Sequence, residues 1–403
     1  MARKAKSHDE DEQETEKISK DAFFAKFAAK TKGEILGQME GVSYFVDTGS
    51  LSLNYVNSGK FIKGGIPGGR ISEVFGPNSS AKSLFGTNIL FGAQKIGGYA
   101  IILDCENAVN PEWTKKSSHL DIDKVVRYTP KTLEEAFLKI YNVIKAIREY
   151  DKKAPIVIVW DSIAVCPSAR EYREIELPDN YTDAQFKSIV KSKEQPGERA
   201  KICSREFRKL NAMAEANEAT LLIINQIRDK IGVMFGSPET TAGGGNALPF
   251  YASLRFRTQT QKRIFNKKLG TVVGINVKIK NAKNRFRSPF AEVENLQLFF
   301  HRGINPIGGL LSTLLQAERI ERATGKGMYA VLPEFLPTGK EEYTFQSNKD
   351  RNDVPISLLL DCPKLIDAVT REEVEEYLLP FGDIEALEEE TEEEEDEDDE
   401  NES

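Results

Sequence analysis

The chain has 403 residues, of which 40% are hydrophobic, so it is long enough for two or three domains and apolar enough to bury a core. No run of 18 or more apolar residues occurs and the start of the chain is charged, which argues against a membrane span and a secretory signal. Four scattered cysteines without CxxC or Cys/His pairing argue against a zinc site or disulfide framework and predict a cytoplasmic protein: Cys105, Cys166, Cys203 and Cys362.

The net charge of −8 is divided unevenly along the chain. Residues 383–403 hold 15 acids and no Lys or Arg, so the remaining residues, with 55 bases and 48 acids, carry +7. An acidic segment on a basic body is typical of a protein that binds a polyanion and carries a competitor for that site. A disordered segment that only aids solubility is at least as common.

The start of the chain is predicted to contain one helix. Residues 1–17 are nearly all polar or charged and are expected to be disordered. Residues 21–29 form an amphipathic helical pattern with an aromatic face. That face must be buried either on the chain's own core or on a neighbouring subunit, and the sequence does not decide between the two.

A phosphate-binding loop is predicted at residues 76–83, between an apolar strand and a helix. In this arrangement, backbone N–H groups and the helix N-terminus bind a nucleotide triphosphate. Lys82 is expected to reach the β- and γ-phosphates of ATP, and Ser83 to hold Mg²⁺. The motif has Gly where this chain has Ala81, so a Ser-rich turn without a ligand is the alternative. The candidate ATP-binding residues of the loop are Gly76, Pro77, Asn78, Ser79, Ser80, Ala81, Lys82 and Ser83.

Three further apolar segments alternate with predicted helices, and each ends in a polar residue: Glu106, Asp161 or Gln226. Uniformly apolar strands that alternate with helices predict a mostly parallel sheet covered on both faces. Functional groups in such a sheet collect at the carboxyl ends of the strands. Asp161 is therefore expected to position Mg²⁺, Glu106 to orient or deprotonate the attacking water, and Gln226 to sense the γ-phosphate.

Two segments beside the predicted sheet are candidate binding loops. Residues 170–199 are rich in charge, and residues 229–246 are rich in glycine. Met234 and Phe235 are apolar residues of the second segment without obvious cover, and such residues can wedge between bases. A loop that folds over its own core is the alternative.

From about residue 46 to about residue 310 the sequence resembles the bacterial RecA recombinase family. This resemblance implies an α/β fold: a RecA-type P-loop ATPase core with a mostly parallel central sheet, an N-terminal helix and a small C-terminal α/β domain. It also implies ATP hydrolysis with Mg²⁺, a helical filament of subunits on single-stranded DNA, and pairing and strand exchange with double-stranded DNA in recombination and repair. The most specific matches are residues 48–53, 104–111, 225–228, 231–241 and 244–253.

The resemblance also implies roles for residues at matching positions. Trp113 is expected to lie against the adenine. Lys283 and Arg285 are expected to reach the ATP of the neighbouring subunit, and Phe250 is expected at the subunit interface. The implied DNA-binding residues are Ser204, Arg208, Arg228, Gly232, Val233, Met234, Phe235, Gly243, Gly244, Gly245 and Asn246.

Three departures separate the chain from the family pattern. They are Ala81 in the phosphate loop, an extra Gly near residues 242–245, and a long first DNA loop with the acids Glu171, Glu174 and Glu176. Such departures suit a divergent, phage-encoded relative. Two alternatives stay open: a ring-forming helicase on the same core, and a non-enzymatic regulatory paralogue that binds ATP and a recombinase.

Four regions are predicted along the chain. They are a disordered start with an N-terminal oligomerisation helix at 1–45, the RecA-type ATPase core at 46–300, a C-terminal domain at 301–382 and an acidic disordered tail at 383–403. The resemblance implies that the C-terminal domain meets duplex DNA.

Deletion of residues 383–403 is expected to tighten DNA binding at low Mg²⁺, most visibly for duplex DNA, because the acidic segment must otherwise be displaced from basic surface. The measurement is a salt titration, in which log affinity falls with log salt at roughly −0.7 per phosphate neutralised on single strands. If the deletion changes only aggregation, the segment serves solubility alone.

Overall fold

The computed structural model describes residues 20–33, 35–36, 41–175, 197–229, 239–241, 245–347, 354–382 and 391–395. The chain divides into two compact units, residues 1–43 and residues 44–403. In the first unit, helix α1 (Lys20–Thr31) covers the predicted helical segment, and Phe23, Phe24 and Phe27 are each more than half exposed.

The second unit contains the remaining helices and strands. Its helices are α2 (Leu51–Ser58), α3 (Lys82–Lys95), α4 (Pro111–Ser117), α5 (Leu133–Tyr150), α6 (Ala169–Ile175), α7 (Glu198–Ala216), α8 (Ala247–Tyr251), α9 (Leu310–Gln316), α10 (Ile356–Asp361) and α11 (Arg371–Leu378). Its strands are β1 (Phe45–Val46), β2 (Ile66–Pro67), β3 (Ile71–Gly76), β4 (Tyr99–Asp104), β5 (Val125–Tyr128), β6 (Ile156–Asp161), β7 (Ala219–Asp229), β8 (Glu239–Thr241), β9 (Leu254–Asn266), β10 (Thr271–Asn284), β11 (Glu292–Phe299), β12 (Gly303–Ile304), β13 (Ile320–Arg322), β14 (Met328–Val331), β15 (Thr344–Gln346) and β16 (Thr391–Glu395).

The central sheet has the strand order β12-β11-β10-β9-β3-β7-β6-β4-β5. Neighbouring strands from β9 to β5 run parallel, whereas β10, β11 and β12 are antiparallel to their neighbours. Strands β3 and β6 are buried along their whole length, as strands of a sheet covered on both faces must be. β6 is apolar up to Asp161, whereas β3 also contains Ser72 and Glu73. The predicted α/β fold with a mostly parallel central sheet is confirmed.

Alternate residues of the central strands face two hydrophobic layers. Val157 and Val159 of β6 pack in the layer that includes Phe85 and Ile89 of α3. The intervening residues of β6 pack in the layer built by α5 and α7, which includes Phe137. Helices therefore cover both faces of the sheet, and its polar strand ends are left at the edges.

Strand register fixes which strand ends lie side by side. Asp104 at the end of β4 pairs with Asp161 at the end of β6. Gly76 at the end of β3 pairs with Gln226 of β7. Trp160 of β6 pairs with Ile223 of β7, so the Gly76 and Gln226 pair lies two residues further along the strands than the Asp104 and Asp161 pair. All four positions lie at the carboxyl edge of the sheet.

The C-terminal part of the chain has a three-stranded sheet, in the order β13-β14-β15, and helices α9 to α11. Its hydrophobic cluster also includes Leu51 of α2. The hydroxyl of Tyr377 on α11 donates to Asp47 Oδ1 at 3.0 Å, and Lys95 on α3 forms an ion pair with the other oxygen at 2.6 Å. These buried contacts join the C-terminal helices to the core, and the predicted boundary between residues 300 and 301 stays a prediction.

The acidic segment contributes a strand, which differs from the prediction of disorder for those five residues. Strand β16 pairs antiparallel with β9, with Thr391 opposite Asn266 and Glu395 opposite Lys262. β3 pairs only with residues 254–257 of β9, so β16 lies along the part of β9 that β3 leaves. In this register Glu394 pairs with Arg263 and Glu395 with Lys262, and residues of opposite charge at facing positions favour pairing.

Within the described ranges, every helix is too short or too polar to span a lipid bilayer.

Candidate nucleotide-binding site

Residues 77–81 form a tight loop between β3, which ends at Gly76, and α3, which begins at Lys82. A Cβ atom at Gly76 would lie 2.4 Å from Thr258 Oγ1, so close approach of the backbone to β9 requires glycine there. Ser80 Oγ donates to the carbonyl oxygen of Pro77 at 2.8 Å and lies 2.8 Å from Thr258 Oγ1. Thr258 therefore supports the loop, although it lies far from the loop in the sequence. The phosphate-loop motif alone does not predict this role of Thr258.

The ammonium group of Lys82 folds back into the loop. Its Nζ donates to the carbonyl oxygen of Pro77 and lies 3.4 Å from Ser80 Oγ. Burial lowers the pKa of Lys82, and the carboxylates of Asp161 and Glu106 oppose that shift. The loop thus holds a buried cation beside backbone N–H groups, which is the donor set that a phosphate chain needs.

Ala81 occupies the position where the phosphate-loop motif has glycine. Its backbone is left-handed, with φ 60° and ψ 21°, and α3 begins at the next residue without a side-chain cap. A left-handed conformation costs a residue with a Cβ atom about 1–2 kcal/mol. The departure from the motif is therefore tolerated by the fold but has an energetic cost.

Glu106 lies just beyond the end of β4, within reach of two neighbouring strand ends. Its Oε1 accepts a hydrogen bond from Ser162 Oγ at 2.6 Å and a longer one from Gln226 Nε2 at 3.5 Å. The structure therefore brings Glu106 and Gln226 together, as the sequence predicted. Ser162 was not predicted, although its position directly after Asp161 is a signal that could have identified it.

Asp161 ends β6 beside the first turn of α3. Burial raises its pKa to about 6, a hydrogen bond with Ser83 opposes this shift, and the charges of Glu106 and Asp104 add to it. The hydroxyl of Ser83 and the carboxylate of Asp161 thus lie together at the end of the phosphate loop. Oxygen ligands of this kind suit Mg²⁺, so the two residues that the sequence assigned to the metal fit it.

Asp104 shapes the loop that holds Glu106. Arg127 of β5 donates to Asp104 Oδ2 through Nε at 2.9 Å and Nη2 at 2.7 Å. The backbone N–H groups of Ala108 and Val109 donate to the same carboxylate at 3.1 Å each. These four bonds fix the backbone on the C-terminal side of Glu106, which is a structural role for Asp104.

A cleft leads from the phosphate loop to Trp113, which is 44% exposed. The ring centroid of Trp113 lies 6.2 Å from that of Phe300 and 6.0 Å from that of His301. An aromatic group at the far end of the cleft can stack on a base. The cleft is lined by Ser83, Leu84, Thr87, Ile102, Ala108, Val109, Asn110, Trp113, Thr114, Ser117 and Asp161.

The predicted DNA-binding residues are described only in part. Ser204 and Arg208 are exposed on α7, and Arg208 Nε donates to Tyr251 Oη at 3.4 Å. Strand β8 pairs with the end of β7, and Gly245 and Asn246 precede α8. Only the backbone of Arg228 is described, on β7. Outside the described residues lie 176–196 of the first loop together with Gly232, Val233, Met234, Phe235, Gly243 and Gly244.

Lys283, Arg285 and Phe250, which the resemblance assigned to the subunit interface, lie together. Lys283 Nζ donates to the carbonyl oxygens of Pro249 and Phe250, at 2.8 Å each, and Arg285 Nη2 donates to Phe250 O at 3.5 Å. The side chain of Phe250 is 66% exposed. Burial, together with the charges of Arg285 and Arg255, lowers the pKa of Lys283 to about 8.

Comparisons with known proteins place the chain beside one family. Residues 24–305 match the family model described as the RecA N-terminal domain. Protein RecA of Thermus aquaticus is 34% identical over 345 residues, which cover 84% of this chain and 92% of that protein. Protein RecA of Bartonella bacilliformis is 36% identical over 296 residues (72% and 77%), and that of Acinetobacter baylyi is 34% identical over 336 residues (82% and 82%).

Ala81→Gly is expected to stabilise the protein, because glycine removes about 1–2 kcal/mol of left-handed strain and costs about 0.5–1 kcal/mol of backbone entropy. Urea unfolding should show a net gain of up to about 1.5 kcal/mol in the free energy of unfolding. Ala93→Gly, in the buried interior of α3, is the control and should lose about 1 kcal/mol or more. A loss of stability in Ala81→Gly would show that the loop backbone is not strained.

Proposed function

The chain belongs to the RecA family, and from that premise we propose that it is a DNA-dependent ATPase that forms filaments on single-stranded DNA. In these filaments it catalyses homologous pairing and strand exchange with duplex DNA. Family membership supports a RecA-like recombinase role with binding of ATP and DNA. Filament formation, strand exchange and the residue roles below are our proposal.

One observation carries the proposal: a phosphate-binding loop and three polar residues lie together at the carboxyl edge of the sheet. The three residues are Asp161, which could bind a metal ion, Glu106 and Gln226. Asp161 ends the strand next to the one that leads to Glu106, and Gln226 pairs with the residue that starts the loop. Each polar strand end alone has structural explanations. Their convergence beside a buried lysine is what ATP hydrolysis needs.

Each residue has a defined task in this arrangement. Lys82 and the loop N–H groups bind the β- and γ-phosphates of ATP, and Ser83 and Asp161 would hold Mg²⁺. A bound Mg²⁺ would neutralise charge on the phosphates. Glu106, oriented by the hydroxyl of Ser162, holds the attacking water and accepts its proton. The side chain of Trp113 binds the adenine at the far end of the cleft.

Gln226 links the nucleotide to DNA. Its side chain contacts Glu106. The strand that carries it, β7, continues to Asp229, where the second DNA loop begins, and the end of β7 pairs with β8 of that loop. A γ-phosphate that draws the amide of Gln226 therefore acts on a strand that leads directly to the DNA. Ser204 and Arg208 on α7 contact the DNA backbone from the same unit.

The ATP site is completed by the next subunit of the filament. The charged groups that act on Lys82 are Asp161 and Glu106, whereas those that act on Lys283 are Arg285, Arg255 and Glu73, so the two lysines occupy different electrostatic environments. Lys283 and Arg285 donate to the carbonyl oxygen of Phe250, and the exposed side chain of Phe250 suits a subunit contact. Cations that reach the γ-phosphate only after assembly couple hydrolysis to filament formation.

ATP hydrolysis with and without single-stranded DNA tests the proposal most simply. DNA should stimulate hydrolysis, and Lys82→Ala should lose it by about 100-fold or more, since Lys82 is the cation on the loop itself. Lys145→Ala, an exposed lysine of α5, is the matched control and should hydrolyse ATP normally. Undiminished DNA-stimulated turnover in Lys82→Ala would remove the loop from the mechanism. If the unaltered protein binds ATP without hydrolysing it, the chain is a regulatory paralogue instead.

A further inference from the structure

A row of polar side chains crosses four neighbouring strands of the sheet, in the order β7-β3-β9-β10. Its members are Asn225, Glu73, Arg255 and Lys283. Glu73 pairs directly with Arg255, and Arg255 pairs directly with Lys283. Asn225 pairs with Phe75, which is two residues from Glu73 and therefore on the same face of β3.

Direct hydrogen bonds join the first three members of the row. Asn225 Nδ2 donates to Glu73 Oε1 at 2.9 Å, and Arg255 Nε donates to Glu73 Oε2 at 2.5 Å. The guanidinium of Arg255 lies 4.6 Å from the ring centroid of Phe75 on β3, which is a cation–π contact. Glu73 and Asn225 are fully buried, so each contact is made without competing solvent.

Burying these charged side chains costs free energy, so stability alone does not explain the row. Burial raises the pKa of Glu73, and the charge and hydrogen bond of Arg255 oppose that shift. The rest of β3 is apolar or small, and a buried ion pair is often no more stable than apolar residues of similar volume. A buried network that is fully hydrogen-bonded does, however, hold its members in one arrangement.

The two ends of the row lie at the two parts of the proposed site. At one end, the backbone N–H of Gln226 donates to Asn225 Oδ1 at 2.9 Å, and the side chain of Gln226 contacts Glu106. At the other end, Lys283 follows Arg255 across the sheet and holds the carbonyl oxygens of Pro249 and Phe250. The row therefore spans from the γ-phosphate sensor to the cations that face the next subunit.

We propose that Glu73 and Arg255 are positioning residues that couple the subunit's own γ-phosphate site to the Lys283 and Phe250 surface that it presents to its neighbour. A movement of Gln226 toward a γ-phosphate changes the bond between Asn225 and Glu73. Arg255 then shifts with Glu73, and Lys283 and α8 follow. The inference rests on the proposed function, since it concerns how one ATP site of the filament influences the next.

The central test replaces the ion pair by apolar residues of similar volume, in the double variant Glu73→Leu/Arg255→Met. Such a replacement keeps a buried pair's packing, so the variant should fold and bind ATP. Its DNA-stimulated hydrolysis should lose cooperativity in ATP, with the Hill coefficient falling to about 1. Ser72→Ala removes a neighbouring buried hydroxyl that has no partner in the described part of the chain, and it should keep the cooperativity of the unaltered protein.

Glu73→Gln gives a second readout that a purely structural role would not move. The facing charges at Lys283 are Arg285, Arg255 and Glu73, of which only Glu73 favours the charged lysine. Loss of that carboxylate lowers the pKa of Lys283 further, so the charge of Lys283 is lost at lower pH. The fall in cooperative turnover as pH rises should therefore begin at lower pH in Glu73→Gln than in the unaltered protein. Lys283→Arg, whose charge persists at high pH, should abolish this difference.

The results of these experiments distinguish a failure of the proposed coupling through Glu73 and Arg255 from a failure of the proposed ATPase function. Cooperative hydrolysis that survives in the double variant, together with an unshifted pH profile in Glu73→Gln, overturns the coupling and leaves the ATPase intact. The coupling is also overturned if the double variant loses cooperativity only in proportion to its loss of thermal stability and the pH profile of Glu73→Gln is unshifted. The row would then have a purely structural role. Absence of DNA-stimulated hydrolysis in the unaltered protein overturns both proposals.

Discussion

The parallel register of the buried strands is the constraint on which the site depends. Backbone hydrogen bonds between β4 and β6 set Asp104 level with Asp161, and those between β3 and β7 set Gly76 level with Gln226. The strands are held in place by their apolar residues, which pack in layers on both faces. Because these layers stabilise the sheet, the strand ends can carry buried polar residues that lower the stability of the fold. The raised pKa of Asp161 reflects the free-energy cost of burying its charged carboxylate.

The same sheet also supplies a path from one part of the site to another. Its parallel strands end at the proposed nucleotide site, whereas the antiparallel β10 brings Lys283 to the contact with α8. Strand β9 joins the two regions, since Thr258 braces the phosphate loop and Arg255 binds the buried Glu73. A residue change in β9 would therefore affect both regions, and this is the physical basis of the proposed communication between successive ATP sites.

Much of this could be predicted from the sequence, because the signals were local. Uniformly apolar segments that end in Asp161 and Gln226 predicted both the parallel sheet and the residues at its edge. The roles of Thr258, Arg127 and Arg255 could not be predicted, since each acts on a residue that only strand order brings near. Strand β16 was missed for a related reason: a glutamate run predicts disorder by composition, and its pairing partner on β9 lies more than 100 residues away.

The central claim is that each ATP site is built from two subunits, and mixing two inactive variants tests it directly. Lys82→Ala lacks the loop cation, and Lys283→Ala lacks the cation that is presented to the neighbour. In an equal mixture on single-stranded DNA, about a quarter of the head-to-tail interfaces would combine an intact loop with an intact Lys283. We expect hydrolysis to reappear in the mixture at about that fraction of the activity of the unaltered protein. If the mixture stays as inactive as each variant alone, although both still assemble on DNA, the two lysines serve the same subunit and the shared site is contradicted.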